Sequence, residues 1–231
     1  MAIAFDNASM STSDTVAATS KTHAHSCSGS DRFLVVSVVS LNGNSPTPTP
    51  TATYNGVSMT AVAVNIIAYT GTNNWRHHVF YLANPASGSN NVVVTATTGV
   101  AQWRVVAASY TGVDQTSPVI TSNTAGNIAS GKVMSISLTT SEDAWWYISG
   151  TNVDAEWNSI SNNGSSLRNA TGSSGQLRAG DSNGLISAQT GTITMSYTFG
   201  TSGRGYGGAA FAFKPAEVGP TPTPSGMMMW W

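Results

Sequence analysis

Apolar and polar positions alternate with a period of two over short segments, separated by Gly, Asn, Ser and Pro clusters, the pattern of strands with one buried face. Ala2–Asp6 reads as a first edge strand and Thr19–Ser28 as a second, with His23 and His25 on one of its faces. Arg32–Leu41 (RFLVVSVVSL) is almost continuously apolar, which predicts a central strand covered on both sides. Ala52–Tyr54 turns at Asn55-Gly56, a dipeptide suited to tight hairpins, into Val57–Tyr69. Trp75–Ala83, Asn91–Thr97 and Gln102–Thr111 follow, then a hairpin pair, Val133–Thr139 and Ala144–Gly150. The last regular segments are Leu185–Gln189, Thr192–Phe199 and Gly205–Phe213.

Between them, Ser45–Thr51 (SPTPTPT) is an extended loop, because its prolines cannot donate to a ladder. Ser159–Gly184 is dominated by Ser, Asn and Gly, and reads as a long loop or as short strands around Leu167 and Leu177. Nowhere do apolar residues hold a helical period beyond two turns. About eleven or twelve strands at this spacing predict an all-β fold: a two-sheet antiparallel sandwich with jelly-roll-like connections. The sandwich domain spans residues 1–214. Residues 215–231 form a separate arm: a stiff Pro-Thr linker, Gly219–Gly226 (GPTPTPSG), ends in Met227, Met228, Met229, Trp230 and Trp231. Five large apolar residues at the tip of an extended arm predict a contact with another subunit, and they are too few to insert across a bilayer.

Composition narrows the function. Only 8% of the 231 residues are charged, whereas 40% are hydrophobic, so the polar surface must be built of Ser, Thr, Asn and Gly. Such a surface packs against a neighbour without desolvating many charges. The net charge of −1, with Lys and Arg scattered singly, argues against a nucleic-acid groove. A lone cysteine, Cys27, excludes an intrachain disulfide and reads as a buried apolar residue. The first residues have neither the basic nor the long apolar region of a secretory signal, although the composition looks extracellular; release of virus particles by lysis would reconcile the two.

The blocks Tyr54–Thr60 (YNGVSMT), Tyr81–Gly88 (YLANPASG) with Val92–Thr95, and Ala108–Pro118 (ASYTGVDQTSP) resemble a recurrent β-sandwich domain of phage virion proteins and bacterial surface proteins. The resemblance covers about residues 2–214 and rests on turns, alternation and an Asn-Pro-x-Ser-Gly bend. It implies a lectin-like or jelly-roll sandwich exposed outside the cell, and brings no catalytic residues with it. The arm ending in MMMWW is not part of that pattern.

No residue set points to chemistry. His23 and His25 could ligate a metal from one strand face, and His77-His78 lie elsewhere, but no Cys or carboxylate completes a set, so no metal or other cofactor is expected. Asp154 and Glu156 beside Trp157 have the residue types of a glycosidase pair, but solvated turn acids explain them as well. Gly180–Gly184 (GDSNG) is a fragment of a calcium loop without its further carboxylates, and reads as a polar turn. Trp145-Trp146-Tyr147 places Trp146 opposite its neighbours, so one face packs in the core and the other either packs as well or offers a ring. Trp146 and Trp157 are the rings that could stack on a sugar or a partner. The expectation is a non-enzymatic virion structural protein on the particle surface: a decoration protein, head fibre or tail-surface subunit. It would be homo-oligomeric and attached to other subunits through Met227–Trp231. The alternative is a carbohydrate-binding or adhesin module of a bacterial cell surface.

Overall fold

The computed structural model describes residues 2–12, 16–42, 48–69, 74–127, 133–152, 159–161, 166–168, 177–196 and 205–217. All regular structure among them is strand. The chain runs β1 (Ala4–Met10), β2 (Ala18–Cys27), β3 (Phe33–Asn42), β4 (Thr51–Tyr54), β5 (Val57–Ser58), β6 (Thr60–Tyr69), β7 (Asn74–Ala83), β8 (Gly88–Val100) and β9 (Gln102–Thr111). It continues through β10 (Val119–Asn127), β11 (Val133–Thr139), β12 (Ala144–Asn152), β13 (Ser159–Ser161), β14 (Ser166–Leu167), β15 (Leu177–Ile186), β16 (Thr190–Ser196) and β17 (Tyr206–Phe213).

The all-β antiparallel sandwich expected from the sequence is present, but its sheets number four rather than two. Residues up to Thr111 build an inner sheet, β1-β9-β3-β7-β6, and an outer sheet, β2-β8-β4-β5. Residues from Val119 build a second inner sheet, β10-β17-β12-β15-β14, and a second outer sheet, β11-β16-β13. The two windings are the same. Each repeat can be counted from its own first strand, with β5 and β6 taken as one strand that steps between sheets. Both inner sheets then read 1-8-3-6-5, and the outer sheets begin 2-7-4. This is the double Greek key of a jelly roll, made twice. Both copies even carry a ladder irregularity at the same place, between Phe5 and Asn7 on β1 and between Val119 and Thr121 on β10.

Three cores lie between the four layers. One sits between the first outer and inner sheets, around Leu34, Val36, Tyr54, Val94 and Trp103. Another sits between the second inner and outer sheets, around Met134, Ile136, Trp146, Ile148 and Met195. The third joins the repeats, where Phe33, Val35 and Tyr110 meet Trp145, Tyr147, Phe211 and Phe213. Inner strands are therefore buried on both faces, as β3 and β17 are almost throughout, while β11 alternates strictly between exposed and buried. Burying each aromatic of the central core contributes about 1.5–3 kcal/mol.

Several segments depart from the sequence reading. β11 and β12, expected as a hairpin pair, lie in different sheets, β11 against β16 and β12 against β15 and β17. Leu185 and Ile186 end β15 instead of opening a strand of their own. β10 has no counterpart in that reading, because VITSNTAGN is a polar edge strand with little apolar signal. Of the two readings of Ser159–Gly184, strands around Leu167 and Leu177 are present as β14 and β15, but β15 is longer than expected and Gly180–Gly184 lies inside it rather than in a polar turn. Its buried polar residues, Asp181 and Ser182, are bonded internally, so polarity there does not mean exposure. The arm from residue 218 onward lies outside the described residues.

Candidate functional site

Three polar clusters, the first buried and the other two partly so, stand out against the apolar cores. The first lies at the centre of the joint between repeats. Ser37 Oγ donates to Ser149 Oγ at 2.8 Å, the Tyr147 hydroxyl lies 2.8 Å from Ser37 Oγ, and His77 Nε2 lies 3.2 Å from Ser149 Oγ. The ring of His77 is fully buried, its Nδ1 has no partner, and desolvation pushes its pKa down to about 3.

The second cluster clamps the repeats together at one side. Arg168 forms a bidentate pair with Asp181, at 2.7 and 3.0 Å, and its guanidinium lies 4.1 Å from the centroid of the Phe5 ring on β1. The Tyr110 hydroxyl of β9 donates to the same carboxylate at 2.8 Å, as does the Asn183 amide. Burial is the first cause that holds the Tyr110 phenol well above its ordinary pKa, and the Asp181 charge adds to it.

The third cluster spans the side opening of the first repeat, between edge strands β1 and β2. Asp6 accepts from the Ser28 amide at 2.9 Å, from the Ser28 hydroxyl, and from Ser109 Oγ at 2.7 Å. Ser109 Oγ lies 3.1 Å from His25 Nε2. Ser9 Oγ lies 2.7 Å from His25 Nδ1 and 2.8 Å from His23 Nε2. Counting protons gives the chain a direction. Ser109 spends its only proton on the carboxylate, so His25 must donate from Nε2, leaving Nδ1 to accept from Ser9. Ser9 then accepts from His23 Nε2–H. Burial lowers the pKa of both rings, that of His25 to about 4, although the Asp6 charge works the other way there. Burial raises the Asp6 carboxyl, but its serine hydrogen bonds outweigh this and hold it below the ordinary value.

The structure thus brings His23 and His25 together with three residues that the sequence does not single out: Asp6, Ser9 and Ser109. Only the i, i+2 histidine spacing is visible in the sequence; Ser109 joins through the β1–β9 ladder. His77 and His78 alternate in opposite directions from β7; both are buried, and His78 Nε2 lies 2.8 Å from Ser40 Oγ. Among the described residues, no three His, Cys, Asp or Glu side chains converge to hold a metal. Cys27 is buried.

Trp146 requires a correction. Its place opposite its neighbours suggests a ring offered to a sugar or partner, but it is fully buried in the core between the second inner and outer sheets. Gly191 of β16 covers it so closely that a Cβ there would come within 3.0 Å of the indole. The strand bearing it is sandwiched between two layers, so neither face meets solvent. Trp157, Asp154, Glu156 and Met227–Trp231 lie outside the described residues.

The outer faces are different in kind. On the second outer sheet, Ser135 and Thr194, Ser137 and Thr192, and Thr139 and Thr190 form cross-strand hydroxyl pairs at 3.1, 3.0 and 3.0 Å. On the first repeat, Asn55, Gly56, Ser89, Asn90, Asn91 and Val93 line a shallow uncharged depression of about 390 Å³. No helix among the described residues is long and apolar enough to cross a membrane. No family model, curated protein or solved structure matches the chain.

Proposed function

We propose that this chain is a non-enzymatic structural protein of a virion surface, a decoration, head-fibre or tail-surface subunit. The observation that carries this reading is the uncharged hydroxyl face of the second outer sheet. Its three Ser/Thr pairs bond one another, so a neighbouring subunit could cover them without stranding a charge. The likeness of YNGVSMT, YLANPASG and ASYTGVDQTSP to phage virion and bacterial surface domains supports the placement on a particle.

Attachment is assigned to Met227, Met228, Met229, Trp230 and Trp231, because Met and Trp supply large contact area at an interface hot spot. A Pro-Thr sequence of this length would span roughly 25 Å if extended in polyproline II geometry. Deletion of residues 219–231 is the test. Particle binding or assembly should fail while the melting temperature of the remaining chain holds; binding that survives the deletion refutes the assignment. Stoichiometric recovery of the full chain in purified particles tests the virion reading itself.

A second reading, a carbohydrate-binding module of a cell surface, is favoured by the depression lined by Asn55, Ser89, Asn90 and Asn91, whose amides and hydroxyl suit a neutral polyol. Specific recognition on a glycan array, lost in Asn55→Ala/Asn91→Ala, would favour it over the first.

A further inference from the structure

The duplicated fold shows what a jelly roll of this design requires at each position. The shared ladder registers and the shared irregularity pair Asp6 with Ile120, Ser9 with Asn123 and Ser109 with Ala212. The inward alternation of β2 and β11 pairs His23 with Met134 and His25 with Ile136. In the second repeat, Met134, Ile136 and Ala212 are buried apolar core, with Ile120 packed against them. The architecture fills its side with hydrocarbon there, and only Asn123 at the exposed rim keeps a polar tie, donating to the Ser137 carbonyl at 3.0 Å. The polar chain Asp6–Ser109–His25–Ser9–His23 of the first repeat is therefore not demanded by the fold, and a buried polar network costs more than an apolar filling unless every member stays bonded.

Its position suggests what it does. β1 is an edge strand, exposed at Ala4 and only half-buried from Phe5 to Met10. Its neighbour across the sandwich opening is β2, and the side-chain ties between the two segments are polar. Besides the histidine chain, Asn7 Nδ2 donates to the Ser26 carbonyl at 3.2 Å and Lys21 Nζ to the Thr12 carbonyl at 3.2 Å. We propose that the Asp6–Ser109–His25–Ser9–His23 chain is an acid-sensitive latch that holds β1 against β2, and that acidification releases β1 while the remaining strands stay folded.

The latch needs His25 Nδ1 bare, because that nitrogen accepts the Ser9 hydroxyl. Protonation turns it into a donor, Ser9 Oγ then faces N–H groups from both imidazoles, and the serine proton loses its acceptor. The groups facing His25 decide the sign. β1 contributes Asp6, β2 itself contributes His23, Lys21 and the neutral Cys27, β9 contributes Ser109, and β4 contributes the Tyr54 hydroxyl, bonded to the His25 carbonyl. Asp6 alone favours the imidazolium, and it acts through Ser109; burial and His23 oppose it and prevail. With His25 held at about 4 in the latched state and near 6.5 when released, the latch has full strength above pH 6.5. It weakens as pH falls through that window. The opening constant of β1 rises toward a limit of roughly 300-fold, a factor of about ten for each pH unit between the two values.

Hydrogen exchange of the full chain, corrected for intrinsic rates at pH 7.5, 5.5 and 4.5, tests this. Peptides covering residues 2–12 should lose protection with falling pH by up to that factor and should exchange faster than those covering 206–213 at every pH, because the core strand opens only with the whole molecule, whose own acid response follows buried His77 and His78. In His23→Gln/His25→Gln, and in Asp6→Ile/His23→Met/His25→Ile/Ser109→Ala, which copies the second repeat, the pH dependence of residues 2–12 should vanish. The latch is refuted if residues 2–12 exchange no faster than 206–213 at any of these pH values, or if the pH dependence of residues 2–12 persists in the glutamine variant. Should the fourfold variant not fold, the glutamine variant decides alone.

Discussion

Ser37 Oγ donates to Ser149 Oγ across the joint of the two repeats, and these serines occupy the same position in each. Ser37 is flanked in its sheet by Val79 and Val106, Ser149 by Ala179 and Ala209, in matching strands. The aromatics around them exchange in the same way. Phe33 meets Phe213 at 5.0 Å between centroids, and their counterparts Trp145 and Tyr110 meet at 5.8 Å. Tyr110 and Phe213, counterparts of each other, touch at 5.0 Å. Reciprocal pairs with self-contacts at the centre are the signature of an isologous two-fold interface. The chain is built like a fused dimer of jelly rolls.

That relationship has an energetic consequence. Ser149→Ala deprives Ser37 Oγ of its acceptor and His77 Nε2 of its partner, and should cost about 1–3 kcal/mol in urea unfolding. Ser37→Ala should cost a similar amount. The double variant should cost less than the sum, because each single change already breaks the shared bond. Strict additivity would show that the bond does not couple the repeats.

Acid should destabilise the whole molecule as well as its first strand. His77 and His78 are held neutral by burial, each with its pKa lowered to about 3, and His25 to about 4. Folded values below the ordinary 6.5 mean that the unfolded chain takes up protons first as pH falls. Stability is therefore complete above about pH 6.5 and declines toward about pH 3. The slope approaches about 1.4 kcal/mol per pH unit for each histidine. Urea midpoints at pH 7.5 and 5 should show the decline, with His77→Gln flattening it by about one proton's share. An unchanged midpoint would mean that these rings are not held neutral.

How much of this is legible in the sequence depends on which signal each part leaves. RFLVVSVVSL announces β3 as a strand buried on both faces, and the alternation of VMSISLT announces β11. The duplication leaves almost none: β3 and β12 share Ser37 and Ser149 but fill the adjoining positions with Val35 and Val36 against Tyr147 and Ile148. Large and small residues compensate across the joint, so packing is kept while identity is not. Trp146 is ambiguous for a related reason, since period two gives opposite faces but not whether one is wet. The Asp6–Ser109 contact depends on strand pairing between distant segments, which local pattern does not encode.

The Arg168 clamp should be the most sensitive polar contact. Asp181 is fully buried and Arg168 nearly so, and the carboxylate also takes the Tyr110 hydroxyl. Arg168→Met strands an uncompensated buried carboxylate and should cost about 3–5 kcal/mol. Tyr110→Phe removes one neutral donor to a charge and should cost about 1.5–3 kcal/mol. Thermal and urea unfolding of the two variants should rank them in that order; the reverse order would mean that the pair is worth less than its burial implies.

The fused-dimer architecture makes a final prediction about separated halves. Each inner sheet offers the other an apolar face, Phe33, Val35, Val106 and Tyr110 on one side and Trp145, Tyr147, Phe211 and Phe213 on the other. A half alone would expose this whole patch to water, and would separate the Tyr110 hydroxyl from the Asp181 carboxylate that accepts it. Backbone bonds at the seam bind the same parts: the Asp114 amide donates to the Lys214 carbonyl at 3.0 Å, and the Ala216 amide to the Gly112 carbonyl at 2.8 Å. Residues 2–117 and 118–217 expressed separately should therefore aggregate or self-associate through their inner sheets. Produced together, they should form a one-to-one complex, with light scattering after size exclusion giving the mass and near-ultraviolet circular dichroism reporting the buried tryptophans. The covalent link is short and the interface is large, so its loss should weaken the pair only by the entropy of bringing two bodies together. If either half instead proves a stable monomer, the central aromatic core is not what holds the repeats together, and each jelly roll is an independent domain.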